Sequence, residues 1–409
     1  MFKSPFLKMA WRNLWRNPRR TLITTSSITI GLIAIVFYFG FMDGMNRQTL
    51  ENNIRGHSGH IKVYAKGYQK DPAISKRIIN PEGILEILLS EPHVLYALPR
   101  INTQGLVATG EKSAGAMILG IDLKKEENVS DYKRYVGEGT YYIPGGGILI
   151  GKGLAKLLRA GIGDILSIII QAADGSMGAE NYKIGGILST GEAVMDNSLV
   201  VMSLEDMRAL TVAGESVTEI TVILESAEYT EKVTGALAMR LDMEVLELVS
   251  WKELLAFLLD MQGLAEIFKY VPLVILIIVA SLGILNTVLM SVSERTRELG
   301  IMMALGTRPS RIVFLILLET AIIGIAGVIL GVTGGAILLT YFGDRGIDFS
   351  QWKEGLMTIP FHPTTIYPVI EPVSFYLATG VVFVSAVMSA LYPAYKAARL
   401  RPAEAIHFA

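Results

Sequence analysis

Residues 270–293 read YVPLVILIIVASLGILNTVLMSVS, 24 residues without a single charge. A helix rises about 1.5 Å per residue, so about 20 apolar residues match a hydrocarbon core about 30 Å thick. Charge-free runs of 22, 24 and 24 residues recur at 21–42, 320–343 and 372–395. Together they account for a chain of 409 residues that is 51% hydrophobic and 18% charged. Its mean hydropathy of +0.44 is too high for an ordinary soluble chain of this length. The expected fold class is therefore a membrane protein: four transmembrane α-helices, with a large α+β extracytoplasmic domain between the first and second spans.

Working outward, the first run follows basic residues, as a signal peptide does. It is longer than a signal core of about 7 to 15 residues, and residues 38–44 offer no small-x-small cleavage site, so an uncleaved anchor is expected. The absence of cysteine excludes disulfides, thiolate metal sites and an N-terminal lipid-modified cysteine. Orientation follows from the short segments, because Lys and Arg resist translocation. Segments 1–20, 294–311 and 396–409 carry 13 basic and 3 acidic residues in all, whereas 344–371 carries 2 and 4. Both termini are thus expected in the cytoplasm, with 43–269 outside. That outer segment has 30 acidic against 22 basic residues and gives no sign of nucleic-acid binding.

The expected division of the chain is a cytoplasmic interfacial helix at 1–20, a first span at 21–42 and an outer domain at 43–249. An amphipathic membrane-proximal helix at 250–269 leads into a second span at 270–293. A cytoplasmic segment at 294–311, a third span at 312–343, an outer loop at 344–371, a fourth span at 372–395 and a cytoplasmic tail at 396–409 complete it. In the first segment Leu7, Trp11, Leu14 and Trp15 recur at helical spacing while Lys8, Arg12 and Arg16 step along another face. This suits either an interfacial helix on anionic lipid or a plain topogenic flank, broken at Asn17-Pro18. The outer domain shows strand patterns at 60–64, 94–101, 106–109, 116–120, 165–171, 182–188, 198–202 and 219–224. Helical patterns lie at 81–90, 153–160, 204–210 and 227–242. Residues 94–210 or so are expected to form a second lobe. Ser250-Trp-Lys-Glu253 fits a capping box ahead of an apolar helical run.

Catalytic chemistry is sparse. Gly146 to Gly153 satisfies GxxxxGK, but Gly153 stands where a hydroxyl should hold magnesium, so the expectation is a glycine turn before a helix. His57 and His60 make a pair without further ligands and are read as surface or turn residues. No nucleophile, base and orienting acid occur at recognisable spacing, so no catalytic, cofactor-binding or metal-ligating residue is assigned. Glu319 is an ionisable residue inside an apolar run, either bonding across helices or snorkelling to the headgroups. Gly327, Gly331 and Gly335 repeat every fourth residue, with Gly324 before them, leaving a groove for close helix packing within or between subunits. Apart from Glu319 the spans hold no polar stripe, which argues against a hydrophilic pore.

The segment after the second span reads SERTRELGIMMALGTRPSR, residues 293–311. A loop exposed to cytosol has no reason to present Leu299, Ile301, Met302, Met303 and Leu305 together, so docking into a partner's groove is inferred. Gly306 is placed to end this helix and Pro309 to begin the next. Here the chain resembles the FtsX-like permease family of ABC transporters, which includes MacB and the LolC and LolE permeases. Arg297-Glu298-Leu299-Gly300-Ile301 and Ala304-Leu305-Gly306 look like the family's coupling-helix motif, and Glu319 with Gly324 and Gly331 like its following span. Ala10 to Thr21, residues 147–166 and 196–210, Tyr392-Pro393-Ala394, Ala397-Ala398 and Pro402 are similar too.

The resemblance implies a dimer with a second, same or related, permease subunit, bound to cytoplasmic ABC ATPase subunits that hold the ATP and magnesium. The chain itself would hold no cofactor and would not be an enzyme. Met303 departs from the family, standing where relatives often have a basic residue. Residues 56–71, with Ser58-Gly59-His60-Ile61, look most like lipoprotein-releasing permeases. The expected function is a permease subunit of the cytoplasmic (inner) membrane that couples ATP hydrolysis to outer-domain movement for lipoprotein release. A soluble carrier or adaptor would be a further partner. Efflux through an outside adaptor and control of cell-wall hydrolases are alternatives within the family. A non-transport sensor or scaffold is the alternative from another class.

Overall fold

The computed structural model describes residues 5–110, 112–142, 146–191, 193–349 and 365–401. It divides into two compact units. One, all helical apart from a short ladder, is built on the described residues of Met1–Asn46, Gln262–Ile347 and Thr365–Ala409. The other, sheet-bearing, is built on those of Arg47–Met261 and Asp348–Thr364.

Among the described residues four helical stretches are long and apolar enough to cross a membrane: Pro18–Gly56, Ala256–Glu294, Pro309–Arg345 and Pro372–Ala398. All outrun the charge-free runs, because the loss of apolar character limits what a bilayer can hold and not where the backbone stops being helical. The first membrane-length helix, whose α-helical part is Pro18–Asn53, continues past Asp43 with Arg47 and Glu51 paired at i, i+4 and 2.9 Å. The expected helix at 250–269 is two pieces, Trp251–Leu254 and Ala256–Phe268, broken at Leu255. Ser250 Oγ there donates to the Glu253 side chain at 3.3 Å and caps no backbone N–H, so a side chain-to-side chain bond stands in place of the expected capping box. The last span is likewise Pro372–Ser389 followed by Leu391–Ala398. Within this unit Ile28, Leu32 and Val36 of the first helix pack against the glycine face of the third.

Among the described residues the sheet-bearing unit holds a sheet of ten strands: β1 Ile61–Ala65, β2 Val94–Thr109, β3 Lys112–Ile121, β4 Val136–Gly139, β5 Ile148–Gly151, β6 Ile165–Gln171, β7 Met177–Leu188, β8 Leu199–Ser203, β9 Glu219–Leu224 and β10 Leu246–Ser250. Two expected strands, 94–101 and 106–109, are one, because Asn102 to Gly105 stay in register with Leu119 to Ala116 of β3. Strands β2, β3, β8, β5, β7 and β6 pair in turn and β6 returns to β2, closing a six-stranded ring. All six come from residues 94–203, within the stretch expected as a second lobe. Strands β10, β1 and β9 add antiparallel to the first half of β2, and one apolar core runs through both parts, from Ile61 and Val222 to Ile150 and Ile168.

Strand alternation sends Ile61 and Val63 into that core and Lys62 to the other face. There Lys62 Nζ donates to Glu219 Oε1 at 2.8 Å, and Arg100 clamps Glu126 through Nε at 2.6 Å and Nη2 at 2.8 Å. All four are 2% exposed or less. Burial pushes the Lys62 ammonium below its ordinary pKa despite Glu219. Burial is also the largest influence on Arg100, but Glu126, Tyr132 and Glu219 together outweigh it and hold the guanidinium above its ordinary value.

Candidate functional site

The helix Thr296–Ala304 lies between the second and third membrane-length helices. Its end is defined by hydrogen bonds: Gly306, at φ +90°, donates its N–H to Met303 O, and Thr307 donates to Met302 O, both at 3.0 Å. This is the paired closure that a left-handed residue after a helix makes possible, and glycine adopts it without a Cβ penalty. Pro309 then opens Pro309–Arg345 at its first position.

The apolar residues expected to face a partner together do not all point outward. Leu299 is 2% exposed and belongs to the core of the helical unit with Ile312 and Ile316. Gly300 is buried and Met303 packs partly against that core. The outer face is Arg297, Glu298, Ile301, Ala304, Leu305 and Gly306, with Leu305 83% exposed. The physical reason is helical periodicity: Leu299 and Met303, one turn apart, are needed to seat the helix on its own bundle.

Glu319 is buried, and its carboxylate joins three elements. Its Oε1 accepts from Asn13 Nδ2 at 2.6 Å, and Arg295 Nη1 meets both oxygens at 3.1 and 3.0 Å. Asn13 sits on the helix Pro5–Arg16, which buries Ala10 and Leu14 and leaves Trp11 and Trp15 out. Arg295 is the single residue between Tyr270–Glu294 and Thr296–Ala304, with φ −110° and ψ 14°. Arg16 pairs with Glu298 at 2.7 Å and Arg20 with Glu294 at 3.1 Å. The Arg16 hydrogen bond holds the Glu298 carboxyl below the usual carboxylate range.

These pairs differ in weight. Arg16 and Glu298 are about half exposed, and such pairs contribute roughly 0–1 kcal/mol. Arg295 and Glu319 are about a tenth exposed, and breaking a buried pair by removing one partner costs about 3–5 kcal/mol. Arg295 Nε lies 3.5 Å from Glu298 Oε2, within ion-pair range but without hydrogen-bond geometry. A cavity of ≈ 30 Å³ beside Glu319, lined among others by Arg20, Thr24, Ser291 and Arg295, leaves the cluster room to rearrange.

A second charged node lies elsewhere in the helical unit. Lys269 Nζ pairs with Asp43 at 2.8 Å and Glu266 at 2.6 Å, 5.2 Å from the Phe39 ring centroid. Asp43 and Arg20 share one helix and stand about 35 Å apart along it, so the two nodes bracket its apolar part. The glycine seam lies between them. A Cβ on Gly327, Gly331 or Gly335 would come within 2.7–2.8 Å of Ile28, Leu32 or Val36, whereas Gly324 faces Phe383. The groove is thus filled from within the chain.

The remaining expectations resolve simply. The glycines of the GxxxxGK stretch flank β5 and open the helix Lys152–Leu158, and side chains at Gly151 and Gly153 would collide with Asp196 and Asn197. His60 is buried and its Nδ1 accepts the Leu224 N–H at 3.2 Å; burial, with Arg55 nearby, pushes its pKa down to about 4. The side chain of His57 and all of Pro402 lie outside the described residues. Among the described residues no three His, Asp or Glu side chains gather as a metal site. Asn13 and Arg295 were not singled out from the sequence; the one signal for Arg295 was a basic residue at the membrane end of a charged loop.

Residues 21–239 match the MacB-like periplasmic core domain, and residues 270–402 match the FtsX-like permease C-terminal region. The lipoprotein-releasing system transmembrane protein LolC of Xylella fastidiosa is 24% identical over 93% of this chain and 92% of its own length. LolE of Haemophilus influenzae is 24% identical over 98% of this chain and 99% of its own. The macrolide export ATP-binding/permease protein MacB of Hyphomonas neptunium is 26% identical over 98% of this chain and 60% of its own.

Proposed function

This chain belongs to the FtsX-like, MacB-type family of ABC transporter permeases, and from that premise we propose that it couples ATP hydrolysis in a separate cytoplasmic ATPase to movement of its sheet-bearing domain, releasing lipoproteins from the inner membrane. In this reading both termini and the helix Thr296–Ala304 face the cytoplasm, which the excess of Lys and Arg in those segments supports. The outer face around Ile301 and Leu305 seats in the ATPase, which holds the ATP and magnesium. A second permease subunit, the same or related, completes the membrane part, and a soluble carrier receives the lipoprotein.

The observation that carries the reading is the helix Thr296–Ala304 itself. It is short, closed by Gly306, seated inward by Leu299, and tied by charge to the N-terminal and third membrane-length helices. A surface loop without a docking partner has no need of that anchoring. Lipoprotein release is favoured over export because likeness to LolC and LolE runs the full length of both chains. Export remains the second reading, supported by the MacB relatives.

Depletion of the protein, followed by separation of the membranes, tests the substrate. Lipoproteins destined for the outer membrane should accumulate in the inner membrane; normal sorting rejects release. Copurification from native membranes after mild crosslinking tests the partner. An ATPase with lipoproteins or a soluble carrier supports release, an ATPase with an adaptor supports export, and no ATPase in a preparation that keeps other membrane complexes intact supports a sensor or scaffold.

A further inference from the structure

We propose that Glu319 is a positioning residue through which a tilt of the helix Thr296–Ala304 reaches the third membrane-length helix and, by way of Asn13, the N-terminal helix. The inference rests on the reading of Thr296–Ala304 as the element that docks an ATPase. Arg295 is the lone residue between two helices, and its backbone is the place where their angle changes. Its side chain is fastened to Glu319, on a different helix, at 3.0 Å. Any change of angle at Arg295 therefore pulls on Glu319 or breaks the pair.

The same carboxylate oxygen accepts from Asn13, so the N-terminal helix cannot keep its bond if Glu319 is drawn aside. Burial protects both contacts from screening, unlike the half-exposed Arg16 to Glu298 pair that runs alongside. The adjoining cavity gives the carboxylate space to swing, and the Arg295 Nε without a hydrogen bond gives the guanidinium a direction in which to turn. An acid serving only to glue helices would need neither.

The test uses the full chain with its copurified ATPase in lipid nanodiscs, and the natural absence of cysteine allows paired spin labels. Labels at Arg308→Cys and Val384→Cys report movement of the docking segment on addition of ATP and vanadate. Labels at Arg12→Cys and Val384→Cys report movement of the N-terminal helix. In the unaltered background both distances should shift. With Glu319→Gln, or separately Asn13→Ala, the first shift should persist while the second falls by half or more, at equal amounts of bound ATPase. Exchanging the charges, Arg295→Glu with Glu319→Arg, should restore part of it. A role confined to folding would lower both shifts together or neither. Equal shifts in all three backgrounds overturn the proposal. If the wild-type chain binds no ATPase, or its docking segment does not move, the docking reading falls first and takes this inference with it.

Discussion

In the sheet-bearing unit, Lys62 meets Glu219 and Arg100 meets Glu126 with all four residues 2% exposed or less; in the helical unit, Arg295 meets Glu319 about a tenth exposed beside a cavity of ≈ 30 Å³. Both sets withdraw charge from water, and both incur its desolvation cost. They differ in what they join. Lys62, Glu219 and Arg100 lie on β1, β9 and β2, which are already held by ladder hydrogen bonds, and Glu126 ends the short helix Leu123–Glu126 that follows β3, so their pairs add to a body that has one arrangement. Arg295 and Glu319 join separate helices across a break in the backbone, so their pair decides an angle that the backbone leaves open. Buried charge stiffens a sheet and steers a hinge.

The largest effect should come from breaking the sheet side. Glu126→Gln removes the carboxylate that clamps the buried Arg100 guanidinium and should cost up to about 3–5 kcal/mol, less what Glu219 still supplies. The measurement is the unfolding midpoint of the full-length protein in detergent, followed by hydrogen exchange on β2 and β9. Replacing both partners, Arg100→Met with Glu126→Leu, should recover most of the loss, since an apolar pair of similar volume avoids desolvation. A single variant that unfolds like wild type would show that the clamp is idle. A double variant that stays unstable would show that the Arg100–Glu126 pair does more than fill space, and would narrow the difference between the two regions.

Much of this contrast was hidden in the sequence, for physical reasons. The four spans were legible because a bilayer tolerates no charge over about 20 residues. Their true ends were not, because Asp43 to Asn53 is polar yet helical. Strands such as β6, ILSIIIQ, showed themselves by a run of β-branched residues, whereas β5, four residues ending in a glycine, and β10, whose LELVS does not alternate cleanly, gave no usable pattern. Gly306 and Pro309 marked helix ends locally and could be read as such. Glu319 drew attention as a carboxylate among apolar residues, but its partners lie 24 and 306 positions away and depend on tertiary packing. The same packing turned Leu299 inward.

Acid should separate the two regions next. His60 anchors β1 to β9 through the Leu224 N–H and has a pKa of about 4 in the fold against an ordinary 6.5. Between those values the unfolded chain binds more protons than the folded one, so stability falls as the pH drops through 6.5 and levels off near 4. The full shift corresponds to about 3 kcal/mol at most. Glu298 at the hinge, held below its ordinary pKa by Arg16, stays ionised through most of that range. Corrected for the intrinsic slowing of amide exchange in acid, hydrogen-exchange protection between pH 7 and pH 5 should therefore fall in β1 and β9 more than in Thr296–Ala304. An equal loss of protection in both would mean that His60 does not control the sheet's response.

The smallest expected effect lies at the end of the helix Thr296–Ala304. Gly306 has φ +90°, and no heavy atom lies within 4 Å of where a Cβ would stand, so Gly306→Ala meets no clash and pays only for its backbone. A left-handed conformation costs an L-residue about 1–2 kcal/mol, enough to loosen the two closing hydrogen bonds but not the buried seat of Leu299. Exchange of the Gly306 and Thr307 amides should accelerate about five- to thirtyfold, while that of Arg295 and its neighbours stays within about twofold. If the disturbance instead spread to Arg295, the helix and the hinge would open as one unit, and the charge cluster around Glu319 would be holding a closed end in place rather than setting its angle.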